Sequence, residues 1–455
     1  MFNPEVPKRV LVIGGGPGGQ AVATTAARFG AEVTLVEDNI VGGAAHLWDC
    51  IPSKAMVSSS IRMRSIRNAA DLGITDSGPV SVNMSALSAR ASRIANTLSA
   101  STTDLLESQG VTMVTGRAAL TGPHTAVAAT EEGDVEIEFD FAVVATGSRP
   151  RVPDWAPVDG ERVITTREAY HLDALPQRMV IVGSGVTGVE MTHIFSSLGS
   201  DVALLVSRHH VLPHRDAEVA TVLEEDFLGR GVELLKGSRA SGITRTGDEV
   251  AVTTEDGRTV RGTHVLLAVG SVPNSERVGL AAVGIDAPGG FIAVDEFQRT
   301  SVPHIYAAGD VTGQMLLSSV ATMQGTKIAR HILGHEVTPI DYRKVAQGIF
   351  TEPEIASVGL EEVDAAAEGR KVRITKVPLA PNARALIQGD TKGFVKVVSD
   401  PATRVVLGGT VVGRHASELI ASIAVATNAR LSVDILVETL MVHPSLTESI
   451  AEAAE

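Results

Sequence analysis

Short apolar runs that stop at glycine set the pattern of this chain. Val10-Leu11-Val12-Ile13 carries no polar residue, as a strand buried on both faces requires, and it ends at Gly14-Gly15-Gly16-Pro17-Gly18-Gly19. The alanine-rich stretch 20–29 predicts a helix that Gly30 ends, and residues 33–36, closed by Glu37, predict a second strand. The same order recurs. Met179-Val180-Ile181-Val182 leads into Gly183-Ser184-Gly185-Val186-Thr187-Gly188, a helix to about Leu198 ended by Gly199, and a strand over 202–206. Two copies of one strand–turn–helix–strand unit, far apart in the chain, imply two separate dinucleotide-binding units and not a short-period solenoid.

Between the copies, residues 53–70 and 84–108 predict helices. Leu87, Ile94, Leu98 and Leu105 recur at helical spacing, so they are expected to form one core-facing stripe. Alternating strands are expected over 248–254 and 259–262, around the turn Asp256-Gly257. From about residue 345 there is no dinucleotide turn. Strands over 393–398 and 407–412 and a helix near 416–428 predict a third, α+β domain.

Composition narrows the function classes. A chain of 455 residues, 44% hydrophobic and 20% charged, holds several domains with ordinary cores. The net charge of -14 argues against a general nucleic-acid binder. No apolar run approaches the roughly 20 residues of a membrane helix. After Lys8 and Arg9 the apolar run stops at glycines, unlike a secretory leader, so a cytoplasmic protein is expected. The single cysteine, Cys50, excludes an intrachain disulfide and a cysteine metal cage, and no metal site is expected.

Each glycine turn carries a specific chemistry. Gly14 and Gly183 allow the tight turn, Gly16 and Gly185 let the backbone approach a pyrophosphate, and Gly19 and Gly188 let helix and strand pack closely. The helix N-terminus then offers N–H groups to the phosphates. Glu37, about 20 residues beyond Gly14, suits a free adenosine ribose and repels a 2′-phosphate. At the matching place the second unit has Val206, followed by Ser207 and Arg208. The ribose-binding acid is missing and a cation is near. NADPH is favoured and NADH stays open, with a plain solvated arginine as the alternative reading of Arg208.

The ordered motifs resemble the flavoprotein disulfide reductases, the family of dihydrolipoamide dehydrogenase and glutathione reductase, over nearly the whole chain. The matching segments are the first turn with Glu37, Cys50-Ile51-Pro52-Ser53-Lys54, Ala145-Thr146-Gly147, the second turn, and Ala307-Ala308-Gly309-Asp310. Phe350-Thr351, Pro353-Glu354, Ala356-Ser357-Val358-Gly359 and His443-Pro444-Ser445-Leu446-Thr447-Glu448 complete the set. The resemblance implies an α/β fold: a discontinuous FAD-binding domain (1–150 and 280–338), an NAD(P)-binding domain (151–279) and a C-terminal α+β dimerisation domain (339–455). It implies FAD held by the first turn, Glu37, Lys54, Thr146, Gly147 and Asp310. NADPH or NADH would be held by the second turn, Ser207, Arg208 and Gly270. It also implies a homodimer in which His443 and Glu448 reach the other subunit's active site, and a Lys54–Glu190 pair beside the flavin.

The chain departs from that family at one decisive place. Gly42-Gly43-Ala44-Ala45-His46-Leu47-Trp48-Asp49-Cys50 has Ala45 where the family has the substrate-side cysteine, and only the flavin-side Cys50 remains. Thiol–disulfide exchange needs an attacking and a resolving thiol, so the usual reduction of lipoamide or glutathione is not expected. What remains is hydride transfer from NAD(P)H to flavin, with a different acceptor. A quinone takes two electrons and needs no protein thiol. The catalytic candidates are Lys54, Glu190, His443, Glu448 and Cys50, the last with the alternative of an inert small hydrophobe. Competing readings are a pyridine nucleotide transhydrogenase, a single-cysteine peroxidase or oxidase, and a redox-inert FAD scaffold. Val186, where many relatives have tyrosine, leaves the expected nicotinamide pocket more open. Ser271 replaces a frequent arginine, with no consequence assigned.

Overall fold

A computed structural model describes residues 7–75, 78 and 80–455. The chain divides into two compact units: residues 1–53, 88–151 and 270–340, and residues 54–87, 152–269 and 341–455.

The first unit is built on a five-stranded parallel sheet in the order Ile305–Ala307, Phe141–Val144, Arg9–Ile13, Glu32–Glu37, Thr112–Thr115. The strands read as continuous apolar runs because helices cover the sheet. Val10, Val12, Leu35 and Val143 are buried with Val22, Ala23 and Ala26 of the helix Pro17–Arg28 and Ile328, Ala329 and Ile332 of the helix Ser318–Ile332. These two helices meet through glycine. A Cβ on Gly325 would stand 2.2 Å from the Gly18 carbonyl oxygen and 2.9 Å from the Ala21 Cβ. A three-stranded antiparallel sheet (Arg117–Gly122, Thr125–Thr130, Gly133–Glu138) completes the unit with the two-stranded ribbon Ser148–Pro150 and Ser271–Pro273.

The second unit repeats the parallel design in the order Glu233–Lys236, Asp201–Val206, Arg178–Val182, His264–Leu267, Val163–Ile164. It adds an antiparallel sheet over Gln347–Ile349, Ile355–Gly359, Val406–Val412, Phe394–Ser399 and Arg373–Pro378. The helix Ala416–Ala429 buries Leu419, Ile420 and Ile423 in the core that this sheet shares. The mixed α/β class expected from the sequence is the one observed.

The stripe expected on the long helix is corrected. In Met84–Ser108, Leu87 is buried but Leu98 and Leu105 are exposed (37% and 47%). The inward positions are Met84, Leu87, Ala91, Ala95, Ser99 and Leu106. Small residues carry the middle of the buried face, so a stripe of large residues extended from Leu87 drifts off it at Leu98 and Leu105. Among the described residues no helix is long and apolar enough to cross a membrane.

The glycine crossing in the first unit has a measurable consequence. Gly325→Ala forces a methyl group into a backbone contact and is expected to cost about 2 kcal/mol. Thermal unfolding should show a melting temperature several degrees lower. Gly229→Ala, at an exposed helix end with open space around its Cα, should lose nothing.

Candidate functional site

Both glycine turns are shaped by contacts that a side chain would destroy. Gly14 has φ +104°, and a Cβ there would meet the Ala145 carbonyl at 2.5 Å; a Cβ on Gly19 would stand 1.9 Å from the Gly14 oxygen. The second turn copies this. Gly183 has φ +111°, with the Ala268 oxygen 2.2 Å from its Cβ position, and a Cβ on Gly188 would lie 1.8 Å from the Gly183 oxygen. Gly16 and Gly185 are the extended residues that start each helix, with open space where a side chain would stand and no side-chain cap. Each turn therefore presents uncapped N–H groups at a helix N-terminus, the arrangement that receives phosphate.

Around the first turn the polar groups are placed by the sheet. Glu37 ends its strand, and its carboxylate accepts the N–H of Gly15 at 2.6 Å and of Asn39 at 2.9 Å. Burial pushes its pKa up, against those two N–H groups. Asp310 follows the edge strand. Burial raises its pKa, opposed by the Ser148 hydroxyl that donates to it at 2.7 Å. Thr146 donates its hydroxyl to the Asn274 carbonyl at 2.7 Å, and Gly147 (φ +67°) accepts the Asn274 N–H. Gly42 donates to the Gly15 carbonyl at 2.8 Å, and a Cβ on Gly43 would touch Gly16 at 3.1 Å. The segment leading to Cys50 is thereby laid against the turn.

That segment contains one π-helical turn, Ala45–Asp49. The N–H of Cys50 donates to the Ala45 carbonyl at 3.1 Å, so the residue in the first cysteine position and the surviving cysteine are joined through their backbones. The Cys50 Sγ lies 3.2 Å from the Ser318 Oγ. Single π-turns often occur at functional sites.

In the second unit, Lys54 Nζ pairs with Glu190 Oε2 at 2.8 Å, and the carboxylate is nearly sequestered (6% exposed). Its other oxygen, Oε1, accepts the Phe350 N–H at 2.9 Å, and the lysine nitrogen lies 4.7 Å from the centre of the Phe350 ring. Ser207 and Arg208 are exposed beyond the strand Asp201–Val206, and Val186 is 44% exposed. Gly270 (φ +97°) groups with the first unit by its contacts. His443 Nδ1 meets Glu448 Oε1 at 2.8 Å, while Glu448 Oε2 accepts the Ser445 N–H at 2.8 Å.

Three carboxylates, Asp216, Glu218 and Glu362, also converge. Their centre is held by the ammonium of buried Lys396, which bonds Asp216 and Glu218 and lies 3.5 Å from Glu362. Burial would lower the lysine pKa, but the two carboxylate bonds raise it. The cluster is an ion pair network.

Sequence reasoning gave no role to Ser148, Ser318 or Phe350. Ser148 directly follows the Ala145-Thr146-Gly147 motif, which was signal enough to propose it. No local pattern marks Ser318 as the neighbour of Cys50, and Phe350 acts partly through its backbone.

The chain belongs to the pyridine nucleotide-disulphide oxidoreductase family, whose profile matches residues 8–325, with the family's dimerisation domain over residues 345–454. It is 44% identical over 458 residues to an NAD(P)H dehydrogenase (quinone) of Mycobacterium tuberculosis, covering 98% of this chain and 93% of the relative. A dihydrolipoyl dehydrogenase of Haloferax volcanii is 36% identical over 456 residues, with 98% and 95% covered. Among solved structures, LpdA from Mycobacterium tuberculosis superposes with a TM-score of 0.94 at 43% identity, covering 98% of this chain and 99% of that one.

The His443–Glu448 contact gives a pH prediction. The Ser445 N–H, and then His443, hold the Glu448 carboxyl below its ordinary value. A depressed carboxyl stabilises the folded form above its unfolded pKa and loses that contribution as pH falls through the folded one. A carbon-detected NMR titration should find the Glu448 midpoint below that of an unstructured glutamate. His443→Ala should raise it only part of the way, because the Ser445 N–H remains.

Proposed function

We propose that this chain is an FAD-dependent NAD(P)H:quinone oxidoreductase that works without a redox disulfide. The observation that carries the reading is Ala45 in the first-cysteine position in a chain that keeps the Lys54–Glu190 pair. The 44% identical relative named NAD(P)H dehydrogenase (quinone) supports the same acceptor class.

The residues of the first unit suit FAD. Gly16 leaves open space at an uncapped helix start, Glu37 holds a carboxylate against the turn, and half-buried Asp310 offers an acceptor fixed by Ser148. Gly14, Gly16, Gly19, Glu37, Thr146, Gly147, Asp310 and Lys54 are assigned to it. The chemistry FAD supplies when bound is acceptance of a hydride and delivery of two electrons. Gly183, Gly185 and Gly188 are assigned to the pyrophosphate of NADPH or NADH, and Gly270 to the same cofactor. Ser207 and Arg208 admit a 2′-phosphate because no acid follows Val206 to repel it.

Lys54 holds positive charge where reduction builds negative charge, and Glu190 fixes its direction. His443 has Nδ1 engaged by Glu448, so Nε2 is the nitrogen left to hand a proton to an acceptor oxygen. Cys50 is assigned no step. The reading includes a homodimer, through which His443 and Glu448 serve the partner's site, and a cytoplasmic location.

Three measurements decide it. Anaerobic NADPH or NADH should bleach the flavin of the purified holoprotein, and menadione or benzoquinone should reoxidise it while lipoamide does not. Cys50→Ala should keep most of the quinone turnover; loss of turnover would sink the disulfide-free route. Lys54→Met should slow flavin reduction at least about tenfold in stopped flow.

A further inference from the structure

The strongest unassigned feature of the second unit is the place where the C-terminal segment meets the lysine–glutamate pair. Glu190 is 5% exposed and has both oxygens engaged, one by the Lys54 ammonium and one by the Phe350 N–H. The Phe350 ring stands 4.7 Å from the same ammonium. One residue thus touches both members of the pair, through its backbone on the acid and its ring on the base. A cation over an aromatic face is held by the ring quadrupole, and the hold strengthens when water is excluded.

Phe350 is itself fixed. It packs against the large core of this unit, and a Cβ on Gly348 would lie 3.5 Å from its ring, leaving that ring closely backed. Two residues further on, the Glu352 carbonyl accepts Arg64 Nη1 at 3.0 Å and a second bond from Arg230. Arg64 also grips Asp226 with both terminal nitrogens, and Arg230 pairs with the same carboxylate. Arg64 lies on the helix that carries Lys54. Arg230 also meets His193 Nδ1 at 3.0 Å, on the helix that carries Glu190. The staple around Asp226 therefore ties together the Lys54 helix, the Glu190 helix and the Phe350 segment.

We propose that Phe350 is a positioning residue for Lys54, so that the start of the C-terminal segment sets the charge felt by the bound flavin. The inference rests on the function proposed above for the Lys54–Glu190 pair. The ring restrains the ammonium to one position, and the N–H keeps the carboxylate from swinging toward solvent. No proton or electron passes through Phe350.

The test uses the holoprotein. Phe350→Leu removes the ring face and keeps the apolar volume and the N–H. It should lower the stopped-flow rate of flavin reduction by NADPH about fivefold, from the usual strength of such a contact. The midpoint potential of the bound flavin, read by spectroelectrochemistry, should become more negative. Phe350→Tyr should restore both values, which also covers the case in which the leucine variant fails to fold. In a Lys54→Met background, Phe350→Leu should add nothing further. An unchanged rate and potential in Phe350→Leu, or the same fold-loss with and without Lys54, would overturn the proposal. So would a Lys54→Met variant with wild-type rate and potential. Quinone turnover by the wild type is scored separately, so the inference can fail while the quinone reading stands.

Discussion

Everything in the two parallel-sheet units depends on one steric constraint. The carbonyl oxygen of the first glycine in each turn occupies the space where the last glycine would carry a Cβ: 1.9 Å in one unit and 1.8 Å in the other. The helix can start directly above its strand only because both positions lack side chains. That start leaves a row of N–H groups without side-chain acceptors and points them at a common place. In the first unit the strands, Glu37 at the end of the second strand and the return of the chain at Asp310 are arranged around it.

Against that repeated frame the two units differ in what they add. The first adds carboxylates, Glu37 and Asp310, each buried enough for its pKa to rise and each steadied by a neighbouring donor. The second adds a cation, Lys54, whose partner Glu190 is sequestered and fully bonded. The Cys50 N–H bonds the Ala45 carbonyl, so the two positions are held together by backbone alone. Ala45 leaves the segment without a second thiol, and its backbone still closes the π-turn.

Much of this was legible in the sequence. Apolar runs ending in glycine located both parallel sheets, because burial on two faces and a forbidden Cβ both leave marks in composition. Lys54 and Glu190 were named from motif resemblance, and in the structure their side chains meet at 2.8 Å. Other features left no such mark. Leu98 and Leu105 were expected inside, yet Ala91, Ala95 and Ser99 fill the middle of the buried face of that helix, between Leu87 and Leu106. Phe350 stood in a recognised motif, but its contacts with the pair were not readable, since one of them is made by a backbone N–H that every residue but proline has. Ser318 approaches Cys50 from 268 positions away, a pairing that no local pattern encodes.

The contact between Gly18 and Gly325 also bears on how the chain is made. The first unit takes its second covering helix and its edge strand Ile305–Ala307 from residues synthesised long after the first turn. On the ribosome the N-terminal strands therefore wait, with Val143 and Tyr306 still to be buried together and one flank of the central sheet uncovered. The second unit is interleaved in the same way, since it draws on residues 54–87 and needs segments up to the C-terminus. Neither unit can close before most of the chain has emerged. Protection of exposed strand edges during translation is thus a requirement written into the order of the segments.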